Sequence, residues 1–352
     1  MVNCNSRYPW TENQWQQVLQ QYRSNRLPHA LLLCGPEGTG KLDFARQLTE
    51  TLLCDKNRVE NFSSIDNWQI SKPCGQCNGC QLLAAGTHPD SFIIQPEAEG
   101  KQIQIASIRE INQYVSLTSQ FAPLQIVIIA PAEAMNRNAA NALLKTLEEP
   151  RPGKLIILCS SQPSRLLPTV KSRCQMLYFS LPDTDQALAW MGAQNAQVQD
   201  VSAHRRLLAL ASGAPLLALQ YAQQGRLELY QQLLQSFENI GKKQADPVAE
   251  AKRWETAGLA YCVKWLYLWV SSLIYLKSGE AVVDTSKVES YTAIKGAVWR
   301  EPSLDFLIDR TSSANLFAYL DQLTETSRIV NAPVNVQLTL ENLLLSWRQK
   351  LE

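Results

Sequence analysis

The segment Gly35-Pro36-Glu37-Gly38-Thr39-Gly40-Lys41-Leu42 comes within one residue of the phosphate-cradling pattern G-x-x-x-x-G-K-[ST]. Its glycines let backbone N–H groups turn inward on an anion. Lys41 has the reach for terminal phosphates, and the N-terminus of a following helix adds partial positive charge. The last position fails, because Leu42 stands where Ser or Thr would offer a hydroxyl to Mg²⁺, and leucine cannot ligate a hard cation. P-loop hydrolases take a second Mg²⁺ ligand from an acid directly after a buried strand. Here the apolar run at 125–130 (QIVIIA) leads into Pro131-Ala132-Glu133. Neither position straight after the strand is acidic, and Glu133 reads as a solvated loop carboxylate. Three readings stand for the loop. It is a weak or relic nucleotide site on Gly35, Gly38, Gly40 and Lys41, or a Gly-rich turn that binds nothing, or a working ATPase site with unusual metal ligands. Loss of both Mg²⁺ ligands predicts no intrinsic ATPase activity.

A second constellation is Cys74-x-x-Cys77-x-x-Cys80, with Cys54 upstream at the end of a predicted helix. Gly75 and Gly79 permit the turns. Four thiolates in tetrahedral geometry make a closed structural zinc site with no open position for water, so catalysis at this metal is not expected. An iron–sulfur cluster and a redox pair are the rivals. His88 in His88-Pro89-Asp90 reads as a hydrogen-bonded turn histidine rather than a fifth ligand. The chain has nine cysteines, an odd number. With no apolar leader in MVNCNSRYPW, the cluster indicates metal binding in a reducing cytoplasm rather than disulfides.

The elements around these residues follow a clear order. Residues 29–34 (HALLLC) form a buried strand that feeds the Gly-rich loop, and Leu42, Ala45, Leu48 and Leu52 then recur at helical spacing. Further strands are predicted at 90–94, 125–130 and 155–159. Helices carry Ile105, Ile108, Ile111 and Val115, then Ala140, Leu143, Leu144 and Leu147. Wholly apolar strands alternating with helices indicate a parallel sheet covered on both faces. Beyond residue 180 the strand-like runs stop and helical patterns rich in Leu, Ala, Gln and Trp take over. The chain has 352 residues, 45% of them apolar, enough for two or three domains. The expected division is an α/β domain at 1–180 with a cysteine-bearing insertion at about 54–80, a small helical domain at 181–223, and an all-α domain at 224–352. The apolar stretch at 259–276 holds Lys264 near its middle, which favours a buried helix over a membrane span. A net charge of +1 gives no basic excess of the kind a protein that grips DNA alone carries, so any DNA contact is expected to be shared.

Several stretches together resemble the subunits of bacterial DNA polymerase III clamp loaders, an AAA+-like family. They are Asn141-Ala142-Leu143-Leu144-Lys145-Thr146-Leu147-Glu148-Glu149-Pro150, Ser172-Arg173-Cys174, the cysteine cluster, Ala85-Gly86-Thr87-His88-Pro89-Asp90 and Tyr8-Pro9-Trp10. The resemblance is dense in the first half and rests on helical character alone in the second. It implies an AAA+-like P-loop domain with a zinc module, then a small helical lid and a helical collar used for assembly. Leu42, Ala130 and Pro131 depart from the motor members of the family, as does Leu216, where a motor would carry a sensor arginine. These departures match its non-hydrolysing, delta-prime type of subunit. The implied partners are the gamma/tau motor subunits and the delta subunit, with the sliding clamp and primed DNA reached through the complex. The implied role for Arg173, within Ser172-Arg173-Cys174, is an arginine finger offered in trans to a neighbour's ATP. The alternative for Arg173 is packing within its own subunit, and Cys174 reads as a buried thiol.

Two other functions compete with an assembly subunit. An active motor needs the missing acid, and a zinc-bearing nucleic-acid module needs a basic face that the balanced charge does not promise. Two-metal nucleotidyl transfer requires carboxylates that cannot be assigned in this chain. Trp254, Trp265, Trp269, Trp299 and Trp347 in the helical half fit an interface or a core equally well.

Overall fold

The computed structural model describes residues 7–57, 72–98, 100–194, 201–278, 302–330, 332 and 334–351. The chain divides into two compact units, Met1–Pro182 and Asp183–Glu352.

The first unit holds a five-stranded sheet made of β1 (Ala30–Cys34), β2 (Ser91–Ile94), β3 (Gln125–Ile129), β4 (Lys154–Ser160) and β5 (Gln175–Tyr178), in the order β2-β3-β4-β1-β5. Every pairing is parallel. Side chains alternate between faces along a strand, and here both faces are covered. Leu31, Leu33, Ile126, Ile128, Leu155, Ile157 and Cys159 point to one side, packed with Trp15, Val18, Leu19 and Tyr22 of α1 (Glu12–Arg23) and Phe44, Ala45, Leu48 and Leu52 of α2 (Lys41–Leu53). Leu32, Cys34, Val127, Ile129, Ile156 and Leu158 point to the other. They meet Ile108, Ile111 and Val115 of α4 (Ile105–Ser116) and Leu143 and Leu147 of α5 (Arg137–Glu148). α3 (Asn78–Ala84) follows the cysteine cluster, and α6 (Pro168–Lys171) precedes β5. β1 lies between β4 and β5, and its C-terminal end leads into the Gly-rich loop. α1 and β5 were not expected from the sequence.

The second unit is helical, with α7 (Thr184–Gln194), α8 (Val201–Leu210), α9 (Pro215–Gln223), α10 (Arg226–Gly241), α11 (Pro247–Trp254), α12 (Leu259–Ser278), α13 (Phe306–Arg310), α14 (Ser313–Ile329) and α15 (Val336–Gln349). Trp254, Trp265, Trp269 and Trp347 are all fully buried within it. Trp269 is central, with ring centroids 5.1 Å from Phe237, 5.6 Å from Tyr230 and 6.2 Å from Trp254. Its indole N–H donates to Tyr230 Oη at 2.8 Å. These four tryptophans therefore belong to the unit's own core, and Trp299 lies outside the described residues. α12 is long and apolar enough to cross a membrane by length and composition. It buries Trp265, Leu266, Trp269 and Leu273 in this core, and Lys264 donates to Tyr221 Oη at 3.1 Å.

Candidate functional site

The Gly-rich loop leaves β1 and runs into α2. Gly35 is required by contact, since a Cβ there would lie 2.2 Å from Phe179 O. Gly38 and Gly40 hold positive φ angles of 75° and 88°, which glycine adopts without the side-chain clash of other residues. Lys41 is only 6% exposed. Its Nζ donates to Gly35 O at 2.7 Å and Pro36 O at 2.6 Å, folding the side chain back over its own loop. Burial lowers its pKa, a shift that nearby Cys159, Glu133 and Glu37 oppose. Leu42 packs against the core cluster of α1 and α2. Apolar contact has thus replaced the hydroxyl that Mg²⁺ would need. Two aromatic residues close over the loop. The rings of Tyr8 and Trp10 stack with centroids 5.1 Å apart, Trp10 Nε1 donates to Thr39 O at 2.9 Å, and Tyr8 Oη donates to Asp43 Oδ2 at 2.7 Å.

Glu133 is not the solvated loop carboxylate expected from the sequence. Its Oε1 accepts from Ser161 N at 2.9 Å and Gln162 N at 3.2 Å, and Oε2 is buried without a hydrogen-bond partner. The segment after β4 needs an acceptor for its backbone N–H groups. Glu133, four places beyond the end of β3, supplies it, a long-range pairing that spacing does not reveal.

The cysteines converge as their spacing implied. Sγ atoms of Cys54, Cys74, Cys77 and Cys80 all lie within 4.8 Å of one another, the cluster of potential metal ligands among the described residues. Cys54 and Cys77 are 3.9 Å apart, as are Cys74 and Cys80. A tetrahedral centre with bonds of about 2.3 Å places sulfurs about 3.8 Å apart, so the quartet fits zinc. Three backbone N–H groups point at sulfur, Cys74 N to Cys54, Cys77 N to Cys74 and Cys80 N to Cys77, each at 3.4 Å. Such donors favour thiolates. Hydrogen bonds from the Gln76 and Cys77 backbone bring the Cys74 thiol down to about 6, whereas burial raises Cys54 and Cys80. Gly79 is obligatory, because a Cβ would meet Leu53 O at 2.6 Å. Its N–H donates to Asp55 Oδ2 at 3.3 Å, which ties α3 to the end of α2. Part of the 54–80 insertion, residues 58–71, lies outside the described residues.

His88 sits apart from this quartet. It is buried, and its Nδ1 accepts from Asp90 N at 3.0 Å. Asp90 is fully buried and accepts from Gln120, Phe121 and Ala122 N at 2.8, 2.7 and 2.8 Å. The carboxylate thereby shapes the loop that enters β3. Sequence reasoning missed this anchor.

Arg173 follows α6. Val170 is buried on one side of it, and Cys174 packs against the same core on the other. Burial raises the Cys174 thiol to about 12, which leaves it a packing group at neutral pH. The Arg173 guanidinium stays partly exposed. Its Nη2 pairs with Glu148 Oε1 at 2.7 Å, and Nη1 donates to Thr169 O at 2.9 Å and Ser172 Oγ at 3.2 Å.

Residues 10–183 match the family model described as DNA polymerase III, delta subunit, and residues 224–349 match DNA polymerase III, delta subunit, C terminal. The chain is 35% identical over 349 residues to DNA polymerase III subunit delta' of Pseudomonas aeruginosa, covering 97% of each chain. It is 32% identical over 268 residues to that of Haemophilus influenzae, covering 73% of this chain and 77% of the relative. A gamma subunit-related protein of DNA polymerase III from Thermotoga maritima superimposes with a TM-score of 0.42 and 20% identity, covering 96% and 99% of the two chains. Matched at both halves and aligned with a relative along nearly its whole length, this chain belongs to the delta-prime subunit family of DNA polymerase III.

Proposed function

We propose that this chain is the non-hydrolysing stator of a clamp loader and supplies Arg173 in trans to the ATP of a neighbouring motor subunit. The observation that carries this reading is the pairing of a disabled receiving site with a retained donor. Leu42 is committed to the core and Ala130-Pro131 stand where an acid would follow β3, while the Arg173 guanidinium stays partly exposed on a fixed backbone. A guanidinium presented to a γ-phosphate offsets developing charge, an effect worth roughly 10³–10⁵ in rate in GTPase-activating proteins. In this reading 1–180 is the AAA+-like domain, 181–223 a lid and 224–352 a collar for assembly. The partners are the gamma/tau motors and the delta subunit, and the complex opens a sliding clamp and loads it on primed DNA in the cytoplasm. Zn²⁺ on Cys54, Cys74, Cys77 and Cys80 is structural. The Gly35–Lys41 loop is a relic, and polymerase activity resides in another subunit of the holoenzyme.

Two measurements test this. The purified chain with Mg²⁺, ATP and primed DNA should show no turnover above background. Turnover that disappears in Lys41→Ala would replace the stator by a motor. A loader assembled with Arg173→Ala should lose DNA-stimulated ATPase while the variant chain stays folded, and unchanged ATPase would remove the trans role.

A further inference from the structure

We propose that Glu148 is the positioning residue for Arg173, holding the guanidinium so that its Nε–H edge is presented outward; this rests on the trans-arginine reading above. Three observations converge. First, the guanidinium is oriented by contacts at one end only. Nη2 is taken by Glu148, and Nη1 by Thr169 O and Ser172 Oγ, so among the described residues Nε–H has no hydrogen-bond partner. A planar fork with one part fixed and another unengaged is suited to meeting an oxyanion without first searching its rotamers. Second, stability does not account for the pair. The two side chains are 34% and 49% exposed, and ion pairs this open to water contribute little. Third, Glu148 stands in an unfavourable place. It is the last residue of α5, with Glu149 beside it, and carboxylates at a helix C-terminus face the negative end of the helix dipole. Arg173 relieves that repulsion, so each residue fixes the other.

The backbone supports the same orientation. Leu147 buries α5 against the sheet face that also takes Val170 and Cys174, which leaves Glu148 at the rim of that contact, turned toward Arg173. The turn carrying Arg173 is closed by Ser172 N to Pro168 O, Arg173 N to Val170 O and Cys174 N to Lys171 O. Both partners therefore sit on braced main chain, and the side-chain pair is the last freedom to be removed.

The test uses loaders assembled with Glu148→Ala, Glu148→Gln, Arg173→Ala and the double variant, with DNA-stimulated ATPase resolved into kcat and KM. We expect Glu148→Ala to lower kcat on the order of tenfold with little change in KM for ATP, as misorientation of a transition-state group does. Glu148→Gln, which keeps an acceptor oxygen, should recover part of the loss. The double variant should be no slower than Arg173→Ala alone, since Glu148 acts through Arg173. Thermal melting of each chain keeps a folding defect from passing as the effect. If Arg173→Ala lowers kcat and Glu148→Ala does not, or if the two losses multiply, the positioning role is overturned and the trans role stands. If Arg173→Ala leaves kcat unchanged, the trans role itself is lost and the positioning role with it.

Discussion

The ammonium of Lys41 lies 2.7 Å from the carbonyl oxygen of Gly35, so the residue with the reach to meet a phosphate is tied instead to the first residue of its own loop. A second bond to Pro36 O completes the tie, and the side chain is almost wholly buried. In this state Lys41 is a strut. Its replacement by alanine removes two charge-assisted hydrogen bonds and leaves the carbonyls without their donor. We expect Lys41→Ala to destabilise the nucleotide-free chain by roughly 1–3 kcal/mol, read from urea unfolding. An unchanged midpoint would deny the strut.

Glu133 gives a second, local test. Removing its carboxylate in Glu133→Ala strips the acceptor from Ser161 N and Gln162 N. Amide exchange at those two positions should accelerate roughly tenfold, equivalent to about 1.4 kcal/mol, with little change in the strands. Equal acceleration throughout β4 would mean that Glu133 supports the whole sheet rather than one loop.

Asp90 should be among the least replaceable polar residues of the first unit. Asp90→Ala leaves three backbone N–H groups facing a buried void, at a cost of about 3 kcal/mol or more. Asp90→Asn keeps one carbonyl oxygen and should lose less. Equal losses for the two variants would show that charge, rather than the count of acceptors, holds the 120–122 turn.

The cysteine quartet predicts about one equivalent of zinc in the purified chain. Iron in its place would remove the assignment. Acid should release the metal, because protons compete for the thiolates that bind it. Once the chain is stripped of metal, alkylation of Cys74 should rise with pH through about 6, where its thiolate forms, while Cys54 and Cys80 react only at alkaline pH. Metal should suppress the Cys74 reaction. A Cys74 that titrates near the ordinary thiol value would show that the turn does not direct its N–H groups at sulfur.

Much of the first unit was legible because its signals are local. β1, β3 and β4 are uninterrupted apolar runs bounded by Gly or Pro, and their observed limits differ from expectation by a residue or so. The cysteine spacing and the glycine loop were equally plain. α1 carried a readable signal in Trp15, Val18, Leu19 and Tyr22, which fall at helical spacing. β5 did not. Its four residues, Gln175 to Tyr178, lie at the sheet edge with only Leu177 buried and Tyr178 68% exposed, and become a strand only by pairing with β1. The roles of Glu133, Asp90 and Glu148 were hidden for a different reason. Each partner lies about 25 to 32 residues away in sequence, and hydrogen bonds brought together by topology leave no periodic trace. The tryptophans of the second unit show the complementary limit, since composition alone does not separate a core ring from an interface ring.

Because every strand of the sheet runs the same way, its two rims are chemically distinct. The Gly-rich loop departs where β1 ends, and Arg173 lies two residues before β5 begins, at the rim where Leu31 pairs with Gln175. The interval between them is set by β1, five residues or about 16 Å of pleated chain. That strand is buried along its whole length and paired on both sides, so it serves as an incompressible ruler. Insertion or loss of one residue in β1 would alter the gauge of the module at both ends, whereas substitutions confined to one rim leave the other in register.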